Sequence, residues 1–174
     1  MKLTMKMQEA LNAQINAELW SAYLYLSMSM DAASKGYKGV ANWFQVQFQE
    51  EQAHARILMN HLLARGGRVL LAPLAAVDTE WPSILGMYEQ TLEHERKVTA
   101  LIHNLYALAS EERDYAAVSM LGWFVDEQVE EEESAQDLID QLKAGECDKL
   151  ALYLIDRDLA TRTYTDPAPL AGKE

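Results

Sequence analysis

Glu51 and His54 interrupt an otherwise apolar helical stripe that runs through Phe44, Phe48, Ala55 and Leu58. Residues three apart share one face of a helix, so this carboxylate and imidazole can reach a common ligand. The same interruption recurs in three further periodic segments. One stripe reads Leu11, Ile15, Glu18, Ala22, Tyr25, and another Ile84, Tyr88, Thr91, Glu95, Val98, Ile102, Leu105. The last reads Leu121, Val125, Gln128, then Glu131 or Glu132, Ala135, Leu138. A single glutamate in a stripe is usually a surface residue slightly out of phase. Four at matching depth, one paired with histidine, call for a common cause.

Energetics supply that cause. An unpaired buried carboxylate costs several kcal/mol even after relaxation. Four of them would together exceed the net stability of an ordinary domain. No lysine or arginine lies on these stripes at that depth, whereas one or two multivalent cations would neutralise the cluster. Gln128 and Glu131 repeat the three-residue spacing of Glu51 and His54. Carboxylates with one imidazole and no thiolate suit iron or manganese better than a sulfur-rich zinc site.

The elements that must position these groups are long helices. Segments at about 4–34, 39–65, 82–110 and 114–144 carry the helical period, and a shorter one follows at 148–160. Gly66-Gly67 reads as a helix stop, Pro82 as a helix start, and Gly145 as the cap that redirects the chain. Short links make antiparallel hairpins of the first pair and the second pair. The roughly 16-residue link between the pairs is too long for such a turn, yet extended it can cross a bundle about 40 Å long. The expectation is one all-α domain spanning residues 1–174. It comprises a four-helix bundle over about 4–144 with one long crossover, a short fifth helix at 148–160 and a frayed tail at 161–174.

Composition narrows the function classes. A net charge of −12 argues against nucleic acid and is compatible with cations. The lone cysteine, Cys147, rules out an intrachain disulfide or a cysteine-cluster metal site. No apolar run is long enough for a membrane span and the N-terminus has no signal-peptide core, so no membrane association and a cytoplasmic location are expected.

Taken together, the residues resemble the non-haem bacterial ferritins over nearly the whole chain. The resemblance rests on "NAELWSAYLYLSMS", "QEEQAHA", "EHER", "LGWFVDEQVEEE" and "LALYLIDRDL", in that order. A glutamate from each of two helices plus an i, i+3 pair from each of the others is the ferritin-like di-metal pattern. The resemblance implies one iron site from Glu18, Glu51 and His54. It implies a second from Glu51, Glu95 and Glu131, with Gln128 close by and Glu51 bridging. Tyr25 would act beside the centre and Trp123 would be a nearby aromatic. Glu50, Glu127 and Glu130 match a third, weaker iron site toward a cage interior. Bacterioferritins and rubrerythrins carry Glu-x-x-His in both halves, where this chain has Gln128-x-x-Glu131. Gln52 stands where bacterioferritin has its haem-ligating methionine, so no haem is expected. The small DNA-protecting relatives lack the fifth helix.

The implied activity is ferroxidation: Fe(II) is oxidised by O₂ or peroxide at the intrasubunit di-iron centre, and Fe(III) moves inward to be stored as mineral. Storage implies a hollow 24-subunit homo-oligomer with the fifth helix lining its four-fold axes. That helix is expected to pack against symmetry copies and not on its own bundle. The alternatives are a di-iron oxidoreductase with an organic substrate, or a non-catalytic helical bundle. Met28, Met30 and Met59 read as core fillers, Trp20 and Trp43 as core or interface. His61 reads as packing or cage contact, His94 as off the Glu95 face, and His103 as solvent-facing or contacting a neighbour.

Overall fold

The computed structural model describes residues 3–171, which form five α-helices and no strand. They are α1 (Met5–Ser34), α2 (Lys38–Ala64), α3 (Ile84–Glu111), α4 (Tyr115–Ala144) and α5 (Lys149–Leu159). The first four form a bundle in which α1 pairs with α2 and α3 with α4. Side-chain caps set several starts. Thr4 Oγ1 accepts from the Met7 amide, Ser83 Oγ from Gly86, and Asp114 Oδ1 from Ala117. Each satisfies an amide that the first helical turn leaves free. The α2 end follows the glycine signal: Gly66 adopts φ +73 and the Gly67 amide donates back to the Leu62 carbonyl.

The crossover between α2 and α3 runs without helix along α1. Asn12 receives the Leu70 amide and donates to the Arg68 carbonyl, and Ser27 donates to the Asp78 carbonyl. Near its far end, Lys35 bridges the Asp31 carboxylate and the Trp81 carbonyl.

The apolar core is not continuous. One cluster joins Leu24 and Phe44 to Tyr88 and Leu138; the other joins Leu11, Leu58, Ile102 and Leu121. Between them lies a layer of buried polar residues at mid-bundle: Glu18, Glu51, His54, Glu95, Gln128 and Glu131. The matching depth expected from the stripes therefore appears as a polar layer dividing two apolar halves.

Several expectations need correction. On α4 the buried residue one turn before Gln128 is Phe124, while Val125 is only partly covered. On α2, Phe48 is likewise partly covered. Met30 is an exposed residue and not a core filler. Gly145 keeps an ordinary φ of −82, and the turn after α4 is made by Glu146 and Cys147 in the left-handed region.

The larger correction concerns α5, which docks on its own bundle. The N-cap of α2 is Tyr37, whose side chain caps nothing. Asp156 Oδ1 on α5 accepts from the Gly39 and Val40 amides instead, at 2.8 and 2.9 Å. The helices approach so closely that a Cβ at Gly39 would lie 1.5 Å from the Asp156 carbonyl oxygen. Leu152, Ile155 and Leu159 pack against the first core cluster. The opposite face, with Leu150, Tyr153 and Leu154, stays exposed. The tail is not frayed over its described part, 161–171: it folds back along α2, where Leu170 joins the second core cluster. Its last three residues lie outside the described range.

Candidate metal centre

Each bundle helix delivers one carboxylate to the polar layer, and α2 adds an imidazole. Glu18, Glu51 and Glu95 are almost wholly enclosed, as are His54 and Gln128. The α4 ambiguity resolves in favour of Glu131, which is buried, while Glu132 lies at the edge bonded to Thr99.

Two groupings can hold a metal ion. Glu18, Glu51 and His54 offer ligand atoms all within 4.8 Å of one another, and His54 Nδ1 stands 3.6 Å from Glu51 Oε2. These are the three residues expected at the first site. The second compact grouping is His54, Glu127 and Glu131. It differs from the expected Glu51, Glu95 and Glu131, because Glu95 is turned toward the α1 side. There Glu95 Oε1 accepts from the Tyr25 hydroxyl and Glu95 Oε2 from Gln128 Nε2 at 3.1 Å. Of the residues expected in a third site, Glu127 comes within 4.0 Å of His54 Nε2, Glu50 is paired with Arg162, and Glu130 is exposed.

Two residues missed by the sequence reading complete the layer. Gln14 Nε2 donates to Glu18 at 2.8 Å, and Gln47 Nε2 donates to Glu131 at 2.7 Å. Each lies four residues before a cluster glutamate on its own helix, the one signal that could have found them. Even so, Glu18 Oε2, Glu51 Oε2 and Gln47 Oε1 have no hydrogen-bond partner among the described residues. Buried oxygens without donors are costly in a closed protein and suited to a cation. Hard carboxylate oxygens with one imidazole fit iron.

The electrostatics agree. Burial, then the charges of Glu18, Glu95 and Glu131, push the Glu51 carboxyl well above its usual range. Burial and Glu131 push Glu95 up to about 8, against the hydrogen bonds from Tyr25 and Gln128. Glu50 and Glu127 are each raised to about 7, chiefly by burial. Such shifts mark carboxylates crowded together in a buried layer.

Aromatic rings close the layer. Trp123 and Phe124 pack edge-on to His54, and Phe44 stacks near Tyr25. A cleft of about 670 Å³ lies between α1 and the crossover, and one of about 700 Å³ between α2, α4 and the tail. Neither is lined by a carboxylate of the cluster. Among the other histidines, His94 accepts or donates at Ser21 Oγ, His61 lies beside Arg65, and His103 is exposed. No described helix is long and apolar enough to cross a membrane.

Comparison with known proteins points the same way. Residues 8–145 match the ferritin-like domain family. A bacterial non-heme ferritin of Bacteroides fragilis is 40% identical over 158 residues, covering 90% of this chain and 98% of that protein. One from Staphylococcus saprophyticus is 37% identical over 94% of this chain and 98% of its own. Among solved structures, an open pore ferritin from the hyperthermophilic archaeon Archaeoglobus fulgidus superposes with a TM-score of 0.92 at 46% identity. That match covers 93% of this chain and all of the archaeal one.

Proposed function

The chain belongs to the ferritin family, and from that membership we propose that it loads an iron store by oxidising Fe(II) within its own bundle. The observation that carries this reading is the buried layer of Glu18, Glu51, His54, Glu95 and Glu131, with carboxylate oxygens left unbonded. Fe(II) is the substrate. Glu18, Glu51 and His54 take one ion; Glu131 and Glu95 take the other, with Glu51 turned between them and Gln128 and Glu127 beside them. Metal binding competes with protons for Glu51 and Glu95, whose carboxyl pKa values burial and crowding raise. Two Fe(II) give up one electron each, and O₂ takes both with two protons to become hydrogen peroxide; peroxide itself can be the acceptor and is reduced to water. Hard carboxylate oxygens favour Fe(III) over Fe(II), which pulls the oxidation forward.

Tyr25 holds Glu95 in place through its hydroxyl and stands ready as an electron source. Glu50, Glu127 and Glu130 take iron on its way out of the layer. Fe(III) then hydrolyses and is stored as mineral in a 24-subunit cage without haem, in the cytoplasm. The exposed α5 face, Leu150, Tyr153 and Leu154, supplies an apolar contact between subunits, since an isolated monomer gains nothing from exposing it.

Aerobic addition of Fe(II) followed by size-exclusion chromatography tests the reading. A cage-sized species carrying hundreds of irons or more supports it. A monomer, or an assembly that stays iron-free, overturns it.

A further inference from the structure

The tail brings a cation to the polar layer that the four stripes themselves lack. Arg162 lies just beyond α5 and returns to α2, 112 positions from its partner Glu50. Its Nη2 donates to Glu50 Oε2 at 2.7 Å, and its Nη1 donates to the Trp43 carbonyl at 3.3 Å. The guanidinium also sits 4.9 Å over the Trp43 ring. Asn42 Nδ2 holds the backbone at this point by donating to the Leu159 and Arg162 carbonyls. Pairing, stacking and a backbone anchor thus fix one cation in one orientation. Both partners are about three-quarters covered, so water screens the pair less than an exposed one.

What Arg162 occupies gives the contact its meaning. Glu50 precedes Glu51 on α2, and its carboxylate lies within electrostatic reach of Glu127 and Glu131 on α4. Glu127 in turn comes within 4.0 Å of His54. Glu50 thus stands among the acidic groups at the Glu127 edge of the layer, and its Oε2 is taken by the guanidinium. Arginine keeps its charge at any working pH, so it cannot yield by losing a proton. It yields only by moving.

We propose that Arg162 is a built-in competitor for the third metal position: its guanidinium holds Glu50 until a metal ion displaces it and lifts the adjoining tail. This rests on the di-metal reading of the layer and concerns only what happens after two ions are bound. Residues beyond Arg162 give the tail somewhere to stay while the latch is open. Leu170 packs on the second core cluster, and Asp166 pairs with Arg56.

Anaerobic titration of the assembled protein with Fe(II), followed calorimetrically, separates the two claims. Wild type should take two ions per subunit tightly and a third weakly. Arg162→Gln should keep the two tight ions and bind the third about tenfold or more tightly, the scale of one charge-assisted pair. Arg162→Lys should fall between, since lysine keeps the charge and loses the fork and the flat stacking face. An unchanged third affinity in Arg162→Gln overturns the competitor role while leaving the di-metal layer standing. Fewer than two tight ions in wild type overturns both. Hydrogen exchange on the unaltered protein gives a check independent of any variant's folding. The Thr161 and Arg162 amides, which donate to the Asp158 and Leu159 carbonyls, should exchange faster once the third equivalent is added and not before; unchanged protection with the third ion bound contradicts displacement.

Discussion

The Tyr25 hydroxyl on α1 donates to Glu95 Oε1 on α3, joining two helices across the polar layer. Burial and the neighbouring carboxylates hold that phenol well above its ordinary pKa, so it acts as a donor throughout the working range. Tyr25→Phe should leave two ions bound per subunit and slow the first oxidation phase by about three- to tenfold, the scale of one hydrogen bond to a charged group. Stopped-flow absorbance with limiting Fe(II) measures it. An unchanged rate would remove Tyr25 from the reaction.

In the proposed centre Glu51 is the carboxylate that serves both ions. Glu51→Ala should abolish rapid Fe(II) oxidation while the metal-free protein stays folded with a melting temperature equal to or above wild type. The substitution removes a buried carboxyl whose oxygen has no partner, relieving a desolvation cost that the cavity it leaves partly offsets. Rapid oxidation by the variant would contradict the bridging role.

Stability of the metal-free protein should fall as pH rises. Glu95, raised to about 8, and Glu50 and Glu127, raised to about 7, hold protons in the fold at pH values where unfolded carboxyls have lost them. Their contribution is complete below the unfolded carboxyl range and is lost as pH climbs through 7 and 8. Glu127 is about a quarter exposed, so water reduces its share. Thermal melts at pH 6 and pH 8.5 should show the lower midpoint at 8.5, and saturating Zn²⁺ should flatten the difference. A midpoint that rises with pH in metal-free protein would contradict the crowding of these carboxyls.

Asp156 caps α2 from another helix. Asp156→Ala should cost about 1 kcal/mol, the ordinary value of a helix cap, and Gly39→Ala more, because its Cβ has no room beneath the α5 backbone. Both should release α5 while sparing the four bundle helices. Loss of α5 protection in hydrogen exchange, with the bundle amides unchanged, is the expected pattern. A melt of the whole bundle would show that α5 is integral to it.

These relationships separate what the sequence could reveal from what it could not. Glu18, Glu51, His54 and Glu95 are legible because each breaks a period carried by its own helix, and a period is local information; on α4 the period alone leaves Glu131 and Glu132 open. The period points to Val125 and not Phe124 because the 3.6-residue turn drifts against whole-number steps, and only packing fixes the phase. Gln14 and Gln47 sit at the right spacing but look like ordinary surface glutamines until the neighbouring helix is in place. Asp156 and Arg162 carry no local signal at all. Their partners lie more than a hundred positions away, so a capping aspartate and a latch arginine look like any charged residues near a chain end.

The central claim is that two irons bind in one layer of one subunit, shared through Glu51. Crystals soaked anaerobically in Fe(II) and measured on both sides of the iron absorption edge test it directly. The account predicts two strong anomalous peaks per subunit, one among Glu18, Glu51 and His54 and one beside Glu131 and Glu95, with Glu51 touching both. Peaks confined to the surface, or a single ion with Glu51 turned away from it, would contradict it.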